Sequence, residues 1–121
     1  MILYLASPYS HPEKEVEQRR FDLVTRAAGW LMQHGFVVFS PISHSHPVAQ
    51  KTELPRAFWF WRAQDLPFMR VCDELYVLCL PDWDKSIGVA EEIAHAKALG
   101  IPITYMTSCE SCRGYQFKRE I

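Results

Sequence analysis

The feature that most constrains this chain is the stretch from Glu74 to Met106. It reads as an apolar strand at 74–80, a short polar loop, a helix from Ser86 to Leu99 closed by Gly100, and another apolar strand at Ile101–Met106. Strand, helix and strand in that order form a βαβ unit. Such a unit pairs its strands in parallel through a right-handed crossover. The chain must therefore build a sheet with helices packed on it.

The remaining segments extend the pattern. Residues 2–6, Ile-Leu-Tyr-Leu-Ala, form a continuous apolar run suited to a strand buried on both faces. Ser7-Pro8-Tyr9 follows as a loop, and Ser10 with Glu13 reads as a capping box with Pro12 in the first helical turn. Val16, Leu23, Val24, Ala27, Ala28 and Leu31 supply a helical period, which His34-Gly35 ends. Phe36–Phe39 is a second strand. Ser40–Pro55 shows little periodicity and predicts a long loop. Residues 56–71 are aromatic-rich and helical, with Pro67 as a break or kink. The order β-α-β-(α)-β-α-β gives an α/β class with a parallel sheet flanked by helices. The whole chain, 1–121, is expected to be a single domain with 106–121 as a tail. Three loops, 6–11, 40–55 and 81–88, then meet at the carboxyl edge of the sheet.

Composition removes several function classes. The net charge of −1 supplies no basic field for a nucleic-acid polymer or a membrane surface. No apolar run reaches the roughly 20 residues of a membrane helix. The opening residues lack a positively charged leader, so a cytoplasmic protein with four reduced cysteines is expected.

The candidate chemistry sits on the second clear helix. At 100° per residue, Val89, Ile93 and Ala96 centre its apolar face and Glu92 falls at the edge of that face. Glu91 falls on the far side, where it complements the helix dipole. On spacing alone both also read as ordinary first-turn acids. Ser86-Ile-Gly88 opens the helix: Ser86 is a cap or an anion ligand, and Gly88 permits close approach of a ligand to the backbone. Asp65 lies among aromatic residues, which favours either a raised pKa and general-acid work or an ion pair with Arg62 or Arg70. Trp59, Trp61 and Trp83 suit ligand stacking or a subunit interface. Cys109-Glu-Ser-Cys112, taken with His44 and His46, leaves a structural zinc site as an alternative.

Taken together, Asp65-Leu, Cys72-Asp73-Glu-Leu-Tyr-Val, Ser86-Ile-Gly88-Val-Ala-Glu-Glu92-Ile and Leu99-Gly100-Ile-Pro resemble the nucleoside 2-deoxyribosyltransferase superfamily. That superfamily includes the 2′-deoxynucleoside 5′-monophosphate N-glycosidases. Pro41-Ile-Ser-His44-Ser-His46-Pro, Phe58-Trp59 and Leu80-Pro-x-Trp83 are similar to a phage and bacterial subfamily of unassigned function within it. The resemblance covers residues 1–106. It implies a flavodoxin-like (Rossmann-like) fold and cleavage of an N-glycosidic bond in a (deoxy)nucleoside or nucleoside 5′-monophosphate. Glu92 would be the nucleophile forming a covalent glycosyl ester, and Asp65 would assist the leaving base. Tyr9 would position the nucleophile or the sugar. Ser7, Pro8, Ser86, Gly88, His44, His46 and Trp59 are the implied substrate-binding residues. Water as acceptor makes the enzyme a hydrolase; a second base makes it a transferase. No metal or organic cofactor is implied, and a homo-oligomer, dimer or higher, is expected. The loop Ser7–His11 lacks the glycine and arginine usual in the nucleotide-cleaving branch, and Arg19 and Arg20 read as solvated. The alternative function is a catalytically silent nucleotide-binding sensor module.

Overall fold

The structure, a computed structural model, describes residues 1–120. Strands β1 (Ile2–Ala6), β2 (Val37–Phe39), β3 (Glu74–Leu78) and β4 (Ile103–Cys109) pair in parallel, and β5 (Gly114–Arg119) runs antiparallel to β4. The strand order is β2-β1-β3-β4-β5. The 2-1-3-4 order is that of flavodoxin-like sheets, with a topological switch between β1 and β3.

Strand pleating sorts the core into two layers. Leu3 and Leu5 of β1 pack with Val24, Ala27 and Leu31 of α1 (Lys14–Gln33). Tyr4 and Ala6 point the other way, toward Leu66 and Met69 of α3 (Phe58–Met69) and Val89 and Ala96 of α4 (Ile87–Leu99). β3 divides likewise, with Leu75 and Val77 on the α3/α4 side and Tyr76 and Leu78 on the α1 side. One alternation thus decides that the Tyr4 hydroxyl, buried with no exposed surface, faces the helix that carries Glu92.

Two expectations are corrected. The capping box at Ser10 does not form: α1 starts at Lys14 with Glu13 as its cap residue, and Pro12 lies outside the helix. His11 instead occupies the turn, accepting from Glu13 N at 3.0 Å and donating its own backbone N–H to Glu17 at 3.1 Å. The segment 40–55 is mostly helix α2 (Pro41–Lys51), leaving a loop only from Thr52 to Ala57. Ser40 caps α2, its hydroxyl accepting from Ser43 N at 3.3 Å, and Pro41 fills the first turn where no N–H is needed. The tail, 106–121, carries β5. At the start of β5, a β-carbon on Gly114 would lie 3.0 Å from the Trp30 ring, so glycine lets the hairpin close over that indole. α3 runs through Pro67 as one helix. No helix among the described residues is long and apolar enough to cross a membrane.

Candidate functional site

At the carboxyl ends of β1 and β3, where the topology switches, a cavity of about 820 Å³ opens. Its walls come from the loop after β1, from α2, from the loop 52–57, from α3 and from the start of α4. Ser7, Pro8, Tyr9, His46, Asp65, Ser86, Gly88 and Glu92 all line it. His44 and Trp59 do not. The His44 side chain is exposed and tilts against Phe39, and Trp59 stays 67% exposed on the outer face of α3. Both therefore drop out of the expected binding set: they sit on helix faces turned away from the cavity.

Glu92 and Asp65 are two cavity-lining carboxyls with strongly shifted protonation. Burial pushes the Glu92 carboxyl up to about 8; the nearby Tyr4 hydroxyl draws it down, and the Asp65 charge raises it further. Burial also pushes Asp65 up to about 6. Tyr4 itself is raised far above an ordinary phenol, chiefly by burial and then by the Glu92 charge. Its hydroxyl faces Glu92 but makes no hydrogen bond of standard geometry. Of the two positions expected for Tyr9, at the nucleophile or at the sugar, the first is taken by another tyrosine. Tyr9 bonds to His46 Nδ1 at 2.5 Å, and the hydroxyl beside Glu92 belongs to Tyr4. The sequence offered one signal for Tyr4, a lone hydroxyl inside an otherwise apolar strand.

Glu91 takes a different role. It pairs with Arg62 at 3.3 Å on the cavity rim, with both side chains substantially exposed. Both acids line the cavity, so the far-side place expected of Glu91 is corrected: Arg62 of α3 draws its carboxylate to the rim.

The start of α4 faces the cavity. Ser86 caps α4, its Oγ accepting from Val89 N at 3.2 Å. The hydroxyl hydrogen stays available to an incoming acceptor. A β-carbon on Gly88 would meet only Ser86 Oγ, at 3.9 Å, so the fold does not itself require glycine there.

Three further residues close the cavity: Glu17 and Arg56, which were not singled out from sequence, and Arg20, which was expected to be solvated. Glu17 is buried and accepts from Arg56 at 2.6 Å and from His11 N, tying the β1 loop to the 52–57 loop. Arg20 is not a solvated helix residue: it lines the cavity and donates to the carbonyls of Tyr9 and Ser10 at 3.3 and 3.0 Å. Arg19 is exposed. Helical spacing alone does not show that 17 and 20 share the face turned toward the loops.

The alternative with zinc finds no geometry. Cys109 and Cys112 lie at the β4–β5 turn, and no cluster of three or more metal-ligating side chains occurs among the described residues.

The sequence pattern of a family described as "Domain of unknown function (DUF1937)" matches residues 1–108. The chain belongs to that family. No curated protein matches the chain. Among solved structures, the DUF1937 domain is similar to one from work titled as characterising a 2-deoxyribosyltransferase of Bacillus psychrosaccharolyticus. The two share 24% identity over 88% of this chain and 72% of that one, with a TM-score of 0.62. At that identity the likeness establishes the fold, the flavodoxin-like arrangement expected above.

Proposed function

We propose that this DUF1937 domain cleaves the N-glycosidic bond of a (deoxy)nucleoside or nucleoside 5′-monophosphate. One observation carries the reading: two carboxyl groups with raised pKa values, Glu92 and Asp65, line one cavity, and the buried Tyr4 hydroxyl lies behind Glu92. The fold shared with a 2-deoxyribosyltransferase is consistent with it.

In this mechanism ionised Glu92 attacks C1′ as the bond to the base breaks, forming a glycosyl ester. Protonated Asp65 delivers its proton to the departing base. Tyr4 steadies the Glu92 carboxylate, and the oxocarbenium-like transition state favours the ionised form of Glu92 over the neutral one. Water or a second base then resolves the ester. Ser86 and the backbone at Gly88 receive the 5′ end of the ligand.

The test is release of free base from a panel of nucleosides and their 5′-monophosphates. Glu92→Ala is expected to abolish release while its circular dichroism spectrum stays that of the wild type. Mass spectrometry of quenched wild-type enzyme should find the sugar, or sugar phosphate, on the peptide carrying Glu92. Bound ligand with no base released from any panel member would favour a silent sensor instead.

A further inference from the structure

The part of the cavity wall formed by Tyr9 and His46 is backed by a chain of hydrogen bonds whose direction is fixed. Gln18 donates from Nε2 to Asp22 at 3.1 Å, which orients its amide. Gln18 Oε1 therefore faces His46 Nε2, at 3.1 Å. A carbonyl oxygen only accepts, so His46 Nε2 carries the hydrogen. Gln50 adds a second donor to the same oxygen at 3.4 Å. His46 is buried, stacked on Phe21 with ring centroids 4.2 Å apart. Burial holds its pKa below the ordinary histidine value, so the ring is neutral near pH 7. A neutral ring with its hydrogen on Nε2 has an accepting Nδ1. The Tyr9 hydroxyl, 2.5 Å away, must donate to it.

Tyr9 thereby loses its hydrogen as a tool for recognition. It lines the cavity, and its oxygen accepts from no group among the described residues. What remains toward the ligand is a pair of lone pairs. We infer that the Tyr9–His46–Gln18 relay makes Tyr9 an obligate acceptor that selects ligands presenting a hydrogen-bond donor. This rests on the nucleoside reading above and deepens it. A nucleoside offers such a donor from two sources, an exocyclic amino group of the base or a hydroxyl of the sugar. Gln18 and Asp22 do not line the cavity, so they act through His46 as positioning residues.

Two measurements on the full chain test the inference. Nitrogen NMR of labelled histidine in the ligand-free protein should show His46 with its hydrogen on Nε2 and a hydrogen-bonded, unprotonated Nδ1. Tyr9→Phe should remove the signature of that bond. A protonated Nδ1 in the wild type overturns the relay whatever the ligand is.

Binding titrations then use matched pairs: cytidine-type against uridine-type, and adenosine-type against inosine-type nucleosides. The wild type should prefer the amino member by about tenfold, the worth of one neutral hydrogen bond. Gln18→Glu gives His46 a carboxylate partner that favours the doubly protonated ring. Nδ1–H then donates to Tyr9, the phenol hydrogen turns to the cavity, and the preference should be erased. If the donor is a sugar hydroxyl, amino and oxo members bind alike. Analogues lacking that hydroxyl then lose about tenfold, and Tyr9→Phe removes the loss. A Tyr9→Phe protein that discriminates the panel as the wild type does overturns the proposal. Failure of every nucleoside to bind, with the His46 tautomer as stated, overturns the nucleoside reading and this ligand with it.

Discussion

Glu92 and Asp65 carry their proton in an order opposite to the one the mechanism uses. With values of about 8 and about 6 in one site, the two titrate as a pair. Between those values the pair holds one proton, and it resides mostly on Glu92. The reactive arrangement, with Glu92 ionised and Asp65 protonated, is a minor tautomer on the order of one part in a hundred, since each unit is a factor of ten. Below about pH 6 both groups are neutral and the nucleophile is lost; above about pH 8 both are ionised and the acid is lost. The expected kcat/KM profile is therefore a bell with limbs near 6 and 8, read from rates of base release across pH 5–9. Asp65→Asn should abolish the alkaline limb, move the acid limb up from about 6 toward the Glu92 value of about 8, and lower kcat by about a hundredfold. Tyr4→Phe should move the alkaline limb upward, because the proton lost there resides mostly on Glu92 and the hydroxyl that favours its carboxylate is gone.

The same burial has a stability consequence. A carboxyl raised in the folded state makes its full contribution below its unfolded value near 4.5, and loses it as pH rises through the folded value near 8. Glu92→Gln should thus melt with the wild type near pH 4.5 and above it at pH 8.5, by about 5 °C or more. An equal gap at both pH values would contradict a buried, ionising Glu92. At this scale the sequence was informative where helix periodicity decides direction, as for Glu92 at the edge of the apolar face, though it placed Glu91 away from a cavity that Glu91 also lines. It was silent where a side chain's partner lies on another element, as for Tyr4 at Glu92, Tyr9 at His46, and Glu17 at Arg56.

Among the elements, α4 and α2 show what local signals reveal. Ser86 and Gly100 bound α4, one as cap and the other in the left-handed region at φ 73°, and both were readable as residue types. α2 was hidden because its residues are mostly polar and Pro47 interrupts its middle, although Ser40-Pro41 is a good helix start. Gly88 separates folding from binding. Alanine there meets only open space and one distant oxygen, so Gly88→Ala should fold and gain about 0.5–1 kcal/mol from its better helix propensity. The added methyl group projects where the 5′ end of a ligand would lie. It should therefore raise KM, most for 5′-monophosphates, with urea unfolding and steady-state kinetics measured on the same preparation. A destabilised Gly88→Ala protein would mean that the helix start is tighter than described.

At the scale of the molecule, stability and chemistry occupy different parts of the sheet. No residue of β4, β5 or the turn between them lines the cavity, which lies at the β1/β3 switch. β5 covers the opposite edge. Its Tyr115 and Phe117 pack on Trp30, with ring centroids at 5.2 and 5.9 Å. Its Arg119 reaches the nearly buried Glu74 at 3.0 Å. The following Glu120 accepts from the Tyr105 hydroxyl at 2.7 Å. Residue types alone did not give this strand, because its exposed alternate residues are polar and its apolar ones pair with helix and sheet positions far away in sequence. The family pattern ends at residue 108, before β5 begins. Truncation after Cys109 would strip Trp30 of its cover, expose the β4 edge, and leave Glu74 a buried carboxylate without its cation, a change worth several kcal/mol. The truncated chain should unfold at a markedly lower urea concentration than the full chain. Where it remains folded, its kcat/KM per folded molecule should equal that of the full chain, because β1, β3, α3 and α4 still carry Tyr4, Asp65 and Glu92. Loss of activity in a fraction shown to be folded would mean that β5 shapes the cavity through the sheet.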